Sequence, residues 1–584
     1  MYRETPVSRA DYWCAKLEFR ATFLEEMIMK EKLLLLGDEA LAQGALDAGL
    51  SGVYAYPGTP STEIPEYIQR SPEAKERNVH RTWSANEKTA LESALGMSYA
   101  GKRAMACMKH VGLNVAADPY LNSALTGANG GVIVAAADDP SMHSSQNEQD
   151  SRFYAKFAML PVLEPSNQQE AYDMAFHAFA LSEKYHVPVM IRLTTRLAHS
   201  RAGVQQREAI AENTLHKPED PNQFMLLPAI ARKRYKLLLG KQTDFVQESE
   251  NSPFNVYKDG PDKSLGIIAC GLAYNYLMEN WQDRECPHPI LKISQYPLPR
   301  KQIEQLAAEC GQVLVIEEGM PIVEEMLKGY LGDMAYGQVS LDAISAESGK
   351  IAHVKRPLII KGRLDGTLPR DGELNPNLVA RALGHEDTSG PAISEIVAPR
   401  PPELCKGCPH RDVYNALNEV LEPYGKGHVF SDIGCYTLGF LPPFESINTC
   451  VDMGASITMA KGAADAGLYP AVAVIGDSTF SHSGITGLLD AVNENSNMVV
   501  VILDNMTTAM TGGQDSPGVG KLEDICKGVG VAPEHIRVFE PLPKNYDEMV
   551  QILKAEVEYN GVSVVIPRRG CIQTLARKRK SENA

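Results

Sequence analysis

The chain has 584 residues, too many for one compact domain, so three or four domains are expected. Hydrophobic residues make up 44% and charged residues 22%, an ordinary globular composition, and the formal net charge is −16. An acidic chain without a large basic block argues against nucleic acid as a partner, because phosphate binding needs clustered Lys and Arg. The one basic run, Arg577 to Lys580, is interpreted as a solvated tail. No apolar stretch approaches the ~20 residues that a membrane helix requires.

Residues 1–30 are predicted to be an arm appended to the folded part of the chain. They contain acidic residues and no continuous apolar core, so they are not a secretory signal. Whether translation begins at Met1 or at Met27 or Met29 is left open. Eleven cysteines without a signal peptide indicate a reducing, cytoplasmic compartment.

Short apolar runs alternate with helix-length segments along most of the chain, which predicts α/β units with parallel sheets flanked by helices. The runs predicted as buried strands are Leu33–Leu36, Gly131–Ala137, Val187–Leu193, Leu265–Ala269, Val313–Ile316, Ala471–Ile475, Met498–Leu503 and Val562–Ile566. Two polar stretches rich in Pro and charge, 231–262 and 386–404, are predicted linkers. They leave three folded units, 31–230, 263–385 and 405–584.

Polar residues follow two consecutive predicted strands of the last unit. Gly476, Asp477 and Ser478 end one strand, and Asp504-Asn505 ends the next, after a helix-length segment. A β-α-β crossover brings both ends to one edge of a parallel sheet, where open α/β sheets bind ligands. A carboxylate and an amide oxygen suit Mg²⁺ and a diphosphate, and a glycine allows close approach of the backbone. The alternative is an ordinary strand-end aspartate and a turn asparagine.

Four cysteines have a suggestive distribution. Cys405 and Cys408 form a C-x2-C pair at the start of the last unit, Cys435 lies in its first turns, and Cys571 follows its last predicted strand. Four thiolates hold either a [4Fe-4S] cluster or a zinc ion. Structural zinc generally uses two C-x2-C pairs, so a single pair favours the cluster. Unrelated buried thiols are the remaining alternative.

These motifs together carry a family likeness. C-K-G-C, I-G-C, G-D-S and D-N in the last unit resemble the thiamine-binding part of the pyruvate and 2-oxoacid:ferredoxin oxidoreductases. The first unit adds YPGTPSTE from Tyr56 and SANEKTA from Ser84, which are similar to that family's pyrimidine-binding motifs. CKGCPHRD, DDPSMHSSQNEQDSR and NMTTAMTGGQ resemble its indolepyruvate branch. Ser478 and Asp504 depart from the usual glycine and asparagine of the thiamine motif.

The resemblance implies a fold and a set of cofactors. The units become a pyrimidine-binding domain over 31–230, a transketolase C-terminal-like domain over 263–385 and a diphosphate-binding domain over 405–584. Thiamine diphosphate and Mg²⁺ are expected on residues of the last domain, namely Gly476, Asp477, Ser478, Asn505 and Thr507. One [4Fe-4S] cluster is expected on Cys405, Cys408, Cys435 and Cys571.

The resemblance also assigns roles in the first unit. Glu87 is implied as the carboxylate that protonates the cofactor's aminopyrimidine, a task that needs a low-dielectric site. Thr59 is implied as a contact of the substrate carboxylate. Lys109 and His110 are candidates for added charge or hydrogen bonds there. His143 is a candidate for the mouth of the site, and a satisfied loop histidine is an equal alternative for it and for His110.

The implied activity is oxidative decarboxylation of an arylpyruvate with coenzyme A, with electrons passed to ferredoxin. The implied partner is a small (beta) subunit, and no nucleic acid or membrane partner is expected. The family's large subunit carries two further clusters in a ferredoxin-like domain whose cysteine run is not found in residues 1–584, so the onward electron path is open. The alternatives are a non-oxidative thiamine-dependent decarboxylase or lyase and an inert cofactor-binding scaffold, which would not need Glu87.

Overall fold

A computed structural model describes residues 32–332, 358–385, 394, 396–398 and 402–582. The predicted arm 1–30 and most of the predicted linker 386–404 lie outside these residues. Every predicted strand is observed, with bounds that shift by two residues or fewer. No helix in the described part of the chain is long and apolar enough to cross a membrane.

The first unit is built on a six-stranded sheet and a two-stranded ribbon. Its strands are β1 Leu33–Leu36, β2 Gly52–Ala55, β3 Ala104–Lys109, β4 Val132–Asp138, β5 Val162–Leu163, β6 Val189–Thr194 and β7 Arg201–Val204. Its helices are α1 Gly37–Asp47, α2 Glu63–Arg70, α3 Pro72–Glu76, α4 Glu87–Tyr99, α5 His110–Val115, α6 Ala117–Thr126, α7 Arg152–Ala158, α8 Gln168–Tyr185, α9 Thr195–His199 and α10 Pro228–Glu250.

The second unit contains a five-stranded sheet. Its strands are β8 Val256–Lys258, β9 Gly266–Cys270, β10 Ile290–Ile293, β11 Gln295–Tyr296, β12 Gln312–Ile316 and β13 Ile359–Lys361. Its helices are α11 Ala273–Met278, α12 Arg300–Glu309, α13 Ile322–Gly332 and α14 Pro376–Ala382. The sheet order is β13-β12-β9-β10-β8. Strand β11 instead joins the first sheet, whose order is β11-β5-β6-β4-β3-β2, and so fastens the two units together.

The third unit contains a fully parallel sheet of order β14-β15-β16-β18-β17. Its strands are β14 Val429–Ser431, β15 Val472–Gly476, β16 Met498–Leu503, β17 Ile536–Phe539 and β18 Val562–Pro567. Its helices are α15 Pro409–Leu421, α16 Ala455–Asp465, α17 Asp477–Thr479, α18 Ile485–Asn493, α19 Leu522–Gly528, α20 Tyr546–Glu558 and α21 Ile572–Glu582. The central strands are buried along their whole length, as expected of a parallel sheet with helices on both faces.

The predicted linker 231–262 is corrected by the structure. Most of it belongs to the 23-residue helix α10, and β8 then pairs with β10 in the second sheet. Helix α10 packs on α6 of the first unit and on α12 of the second. Only Leu238, Phe245 and Ser249 of this helix are buried. A buried stripe this narrow in a polar segment lacks the wide apolar face by which amphipathic helices are recognised.

A buried ionic network also joins the first and second units. Its members are Asp138, Asp150, Arg152, Glu164, Arg192, Glu317, Glu318 and Arg363, all buried. Arg152 binds Asp150 at 2.6 Å and reaches Glu317 of the second unit at 3.1 Å. Arg363 pairs with Glu318 at 3.3 Å. Since removal of one partner from a buried ion pair costs about 3–5 kcal/mol, the network holds the two units in one arrangement.

Glu318→Gln is expected to change how stability depends on pH. Burial raises the pKa of Glu318 from 4.5 to about 7, against the opposing effect of Arg363. The folded chain therefore keeps a proton that the unfolded chain releases, and this contribution is lost as pH rises from about 4.5 to about 7. The variant escapes that loss, so its free energy of unfolding should improve relative to wild type between about pH 5 and about pH 8. Denaturant unfolding of both proteins at both pH values measures the difference in the free energy of unfolding between variant and wild type. The same difference at about pH 5 and about pH 8 would contradict this account.

Candidate active site

A cavity that opens to solvent, with about 940 Å³ of empty space when its open part is included, lies between the first and third units. Strands β2 and β3 of the first unit and β15 and β16 of the third end at its wall. Loops and helix starts that follow these four strand ends supply most of the lining residues. The cavity thus occupies the position where open α/β sheets bind ligands, and here two such sheets share it.

The third-unit wall follows from the pairing of β15 with β16. Gly476 lies opposite Leu503 in the parallel ladder, so Asp477 and Asn505 both come just after adjacent strand ends, as predicted. Asp477, Ser478, Asn505 and Thr507 all line the cavity. A Cβ at Gly476 would lie 2.7 Å from a ring carbon of Tyr436, so only glycine permits this close approach.

Asp477 is a buried carboxylate with an unused oxygen. Its Oδ2 has no hydrogen-bond partner among the described residues. Burial and the neighbouring Asp504 together raise its pKa to about 7, against the opposing effect of the nearby Ser516 hydroxyl. A buried carboxylate oxygen without a partner is costly, and a divalent cation would satisfy it. The residues present therefore fit a magnesium diphosphate.

The two departures from the usual thiamine motif have separate explanations. Ser478, in place of glycine, hydrogen-bonds the hydroxyls of Tyr56 at 2.7 Å and Thr508 at 2.8 Å, so it connects the third unit to the first. Asp504, in place of asparagine, accepts a 2.6 Å bond from Arg568 and is not among the lining residues. Neither departure removes Asp477 or Asn505 from the cavity.

The first-unit wall contains Thr59, Glu87 and Lys109. Glu87 opens helix α4, whose N-cap Asn86 accepts a hydrogen bond from the backbone of Thr89. Its carboxylate is buried and accepts a 2.7 Å bond from Nε2 of His482 in the third unit. Burial lowers the pKa of Lys109 to about 8, and its Nζ donates to the carbonyl of Ser144 at 3.0 Å. The ammonium group of Lys109 therefore loses its proton much closer to neutral pH than an exposed lysine does.

Two predicted histidines lie outside this wall. His110 is buried at the start of α5, where its Nε2 lies 3.0 Å from the carbonyl of Asn147. His143 is half exposed and lies 3.5 Å from Glu373 of the second unit. Neither is a lining residue of the cavity. The position of His143 agrees with the alternative of a loop histidine, whereas the buried Nδ1 of His110 has no hydrogen-bond partner among the described residues.

Sequence reasoning missed two residues at the contact between the units. Tyr56 lines the cavity and binds Ser478, and its ring stands edge-on to His482 at 4.7 Å between centroids. His482 belongs to a π-helical turn, Phe480–Gly484, that directly follows α17. The available signal was its position five residues after Asp477, in the helix-length segment between the two predicted strands.

The four predicted cysteines converge on a second cavity of about 710 Å³. Cys405, Cys408, Cys435 and Cys571 all line it, together with His410. Burial and the neighbouring thiols raise the pKa of Cys408 to about 11 and that of Cys435 to about 12. Among the described residues, no three His, Cys, Asp or Glu side chains form a cage for a single metal ion. The four thiols instead line the wall of a larger cavity.

The two cavities share a wall. Cys435, Asn505 and Ala509 line both of them. The basic run Arg577 to Lys580 is exposed, as predicted, but it belongs to the helix α21, and Arg577 lines the thiol cavity and donates to the carbonyl of Gly512 at 2.5 Å. This helix begins directly after Cys571, and its first turn and Arg577 line the thiol cavity.

Comparisons with known proteins agree with this geometry. A model described as pyruvate flavodoxin/ferredoxin oxidoreductase, thiamine diP-binding, matches residues 43–247. A model of the C-terminal TPP-binding domain of thiamine pyrophosphate enzymes matches residues 432–566. The indolepyruvate oxidoreductase subunit IorA of Archaeoglobus fulgidus is 41% identical, over 94% of this chain and 88% of its own. The chain belongs to the family of indolepyruvate oxidoreductase IorA subunits.

Further relatives include the IorA subunit of Pyrococcus abyssi, 38% identical over 93% of this chain and 86% of its own. A solved 2-oxoglutarate:ferredoxin oxidoreductase from Magnetococcus marinus has a TM-score of 0.44 and 17% identity, over 61% of this chain and 65% of its own. The two family models of this IorA-family chain meet at the first cavity, since Glu87 lies in one matched range and Asp477 and Asn505 lie in the other. Thiamine diphosphate binding is therefore assigned to the chain.

Asp477→Asn is expected to weaken binding of thiamine diphosphate with Mg²⁺ by at least about 100-fold, since loss of a ligand should exceed the 10- to 100-fold cost of losing an outer-shell partner. The matched control is Asp504→Asn, another buried strand-end aspartate, which should stay within about 10-fold of wild type. Titration calorimetry in excess Mg²⁺ measures both, and far-UV circular dichroism checks folding. Equal affinities for the two variants would show that Asp477 is not a ligand.

Proposed function

We propose that this chain is the large subunit of an enzyme that oxidatively decarboxylates arylpyruvates of the indolepyruvate type. Coenzyme A accepts the acyl group, and the electrons pass to ferredoxin. The observation that carries the proposal is one cavity lined by Glu87, Asp477 and Asn505, which shares a wall with a cavity lined by four thiols. A scaffold would need neither a buried glutamate nor this adjacency.

Residues of the third unit are proposed to hold the cofactor. Asp477 and Asn505 would bind Mg²⁺, and Gly476, Ser478 and Thr507 would contact the diphosphate. When bound, thiamine diphosphate supplies the electron sink into which the bond to CO₂ is broken. Glu87, on the opposite wall, would hold a proton against the aminopyrimidine, and its burial keeps water away from that contact.

The charge of the cavity wall indicates the class of 2-oxoacid. Lys109 is the one Lys, Arg or His among the lining residues in the described chain, and Thr59 lies beside it on the same wall. One cation matches one carboxylate, so we assign these two residues to the carboxylate of the substrate. A second carboxylate, as in 2-oxoglutarate, would find no cationic partner on this wall.

The apolar part of the wall suits an aromatic side chain. Val111, Ile433, Met453 and Met510 line the cavity, and methionine adapts to flat rings of different size. Aromatic groups also gain favourable contacts with the thioether sulfur. An aryl group is therefore assigned to this part of the cavity.

The four cysteines are proposed to bind one [4Fe-4S] cluster rather than zinc. A zinc ion needs its four ligands to converge within about 2.3 Å of one point, whereas a cluster brings iron and sulfide that fill a larger volume. The thiol cavity has such a volume, and its wall adjoins the cofactor cavity through Cys435. Electrons leaving the cofactor would therefore cross a single wall.

The proposed reaction needs protein partners, and the cysteines indicate a compartment. A small subunit and ferredoxin are the proposed protein partners. The cytoplasm is the proposed location, because all ten cysteines in the described part of the chain are free thiols, as a reducing compartment requires.

The function is tested by anaerobic assay of the chain together with its small subunit. A panel of 2-oxoacids with coenzyme A and a viologen dye should show reduction with indolepyruvate and phenylpyruvate and little with 2-oxoglutarate. Lys109→Met should lower kcat/KM for arylpyruvates by about 10- to 100-fold, the worth of one charge-assisted hydrogen bond. Preference for 2-oxoglutarate, or full activity of the chain alone, would refute the assignment.

Cys405→Ser with Cys408→Ser should abolish iron binding. Wild type purified without oxygen is expected to contain about four irons and four sulfides per chain, by the stoichiometry of the cluster. The control is Cys526→Ser, a buried cysteine that does not line the thiol cavity, which should keep its iron. Zinc in wild type, or unchanged iron in the double variant, would overturn the cluster and favour a non-oxidative reaction.

A further inference from the structure

His482 lies behind the wall of the cofactor cavity, in contact with Glu87. Glu87 lines the cavity and His482 does not. The imidazole Nε2 lies 2.7 Å from Oε2 of the carboxylate, and both side chains are almost fully buried. His482 therefore contacts Glu87, the acid group of the proposed reaction, from behind the cavity wall.

The hydrogen bonds of His482 fix which way its ring faces. Its Nδ1 lies 2.6 Å from the hydroxyl of Ser483. A hydroxyl both donates and accepts, so it serves the neutral ring and the protonated ring equally. Because an ionised carboxylate only accepts, Nε2 carries a proton and donates it to ionised Glu87 in both forms of the ring.

The backbone of His482 is also fastened to the first unit. Asn86, the residue before Glu87, donates its side-chain amide to the carbonyl of His482 at 3.0 Å. The ring of His482 packs edge-on against Tyr56, which itself binds Ser478. The π-helical turn Phe480–Gly484 presents the ring to Glu87, and such turns occur frequently at functional sites.

The opposite side of Glu87 leaves the carboxylate little freedom. A Cβ at Gly112 would lie 2.5 Å from Oε1, so α5 packs closely against the second oxygen. These two contacts restrict the orientation of the Glu87 carboxylate. The geometry points to His482 as the positioning residue that holds Glu87 toward the cofactor. Through His482, the contact between the first and third units sets the orientation in which that carboxylate is active.

This inference rests on the proposed role of Glu87 and is tested without any 2-oxoacid. The measurement is the rate at which the C2 proton of bound thiamine diphosphate exchanges with deuterium, read by NMR after acid quenching. Titration calorimetry of the same samples gives the affinity for the cofactor. Glu87→Gln provides the reference for loss of the acid group.

His482→Phe should slow C2 exchange by at least about 100-fold, within the range of a lost acid–base contribution, while cofactor affinity changes by less than about 10-fold. His482→Gln keeps an N–H donor for Glu87 and should restore the rate to within about 10-fold of wild type. The matched control is His535→Gln, which removes a histidine paired with Glu556 at 2.8 Å elsewhere in the third unit and should leave exchange unchanged.

Two outcomes would overturn the inference. Wild-type exchange in His482→Phe would show that Glu87 needs no positioning, and parallel loss of cofactor affinity in both His482 variants would show a purely structural role. If wild type itself bound no thiamine diphosphate, the proposed function would fail and this inference with it. If Glu87→Gln exchanged normally, the assignment of Glu87 would be wrong while cofactor binding stood.

Discussion

The burial of Asp477 is the constraint on which the rest of the site depends. Its Oδ2 is removed from water without a partner in the described chain, and its pKa is raised to about 7 as a result. Such a group is stable only with a proton or a cation beside it. The parallel pairing of β15 with β16 places Asn505 next to it, and Gly476 lets Tyr436 close over the strand end. The sheet, the glycine and the second strand end would therefore all support the cation position that we propose for this site.

The pairing of β15 with β16 was predictable because it depends on local signals. The apolar runs before Asp477 and before Asn505 are buried strands, and a crossover between consecutive parallel strands places their ends side by side. The same reasoning failed for α10, whose three buried residues are too few to distinguish a helix from a linker. It also missed that β11, which follows β10 of the second sheet in sequence, pairs with β5 of the first sheet. A two-residue strand carries no periodic signal.

Within the site, the predictable residues were those with a motif of their own. Glu87, Asp477 and Asn505 each stand in a recognisable segment, and the structure brings all three to one cavity. The partners His482 and Tyr56 gain their roles only when segments 395 residues or more apart in the sequence meet. The thiol cavity lies between these cases, since spacing identified the four cysteines but did not reveal that Asn505 and Ala509 line this cavity as well as the first one.

Both walls of the cofactor cavity belong to one polypeptide, and this has a consequence for assembly. Glu66 and Gln514, joined at 2.8 Å, show that the contact between the walls continues beyond the cavity itself. Two walls carried on separate chains would part on dilution, at a concentration set by their affinity. Covalent connection instead gives each wall an effective local concentration on the order of millimolar in the presence of the other. The cavity should therefore remain assembled in a cell that makes only a few copies of the protein.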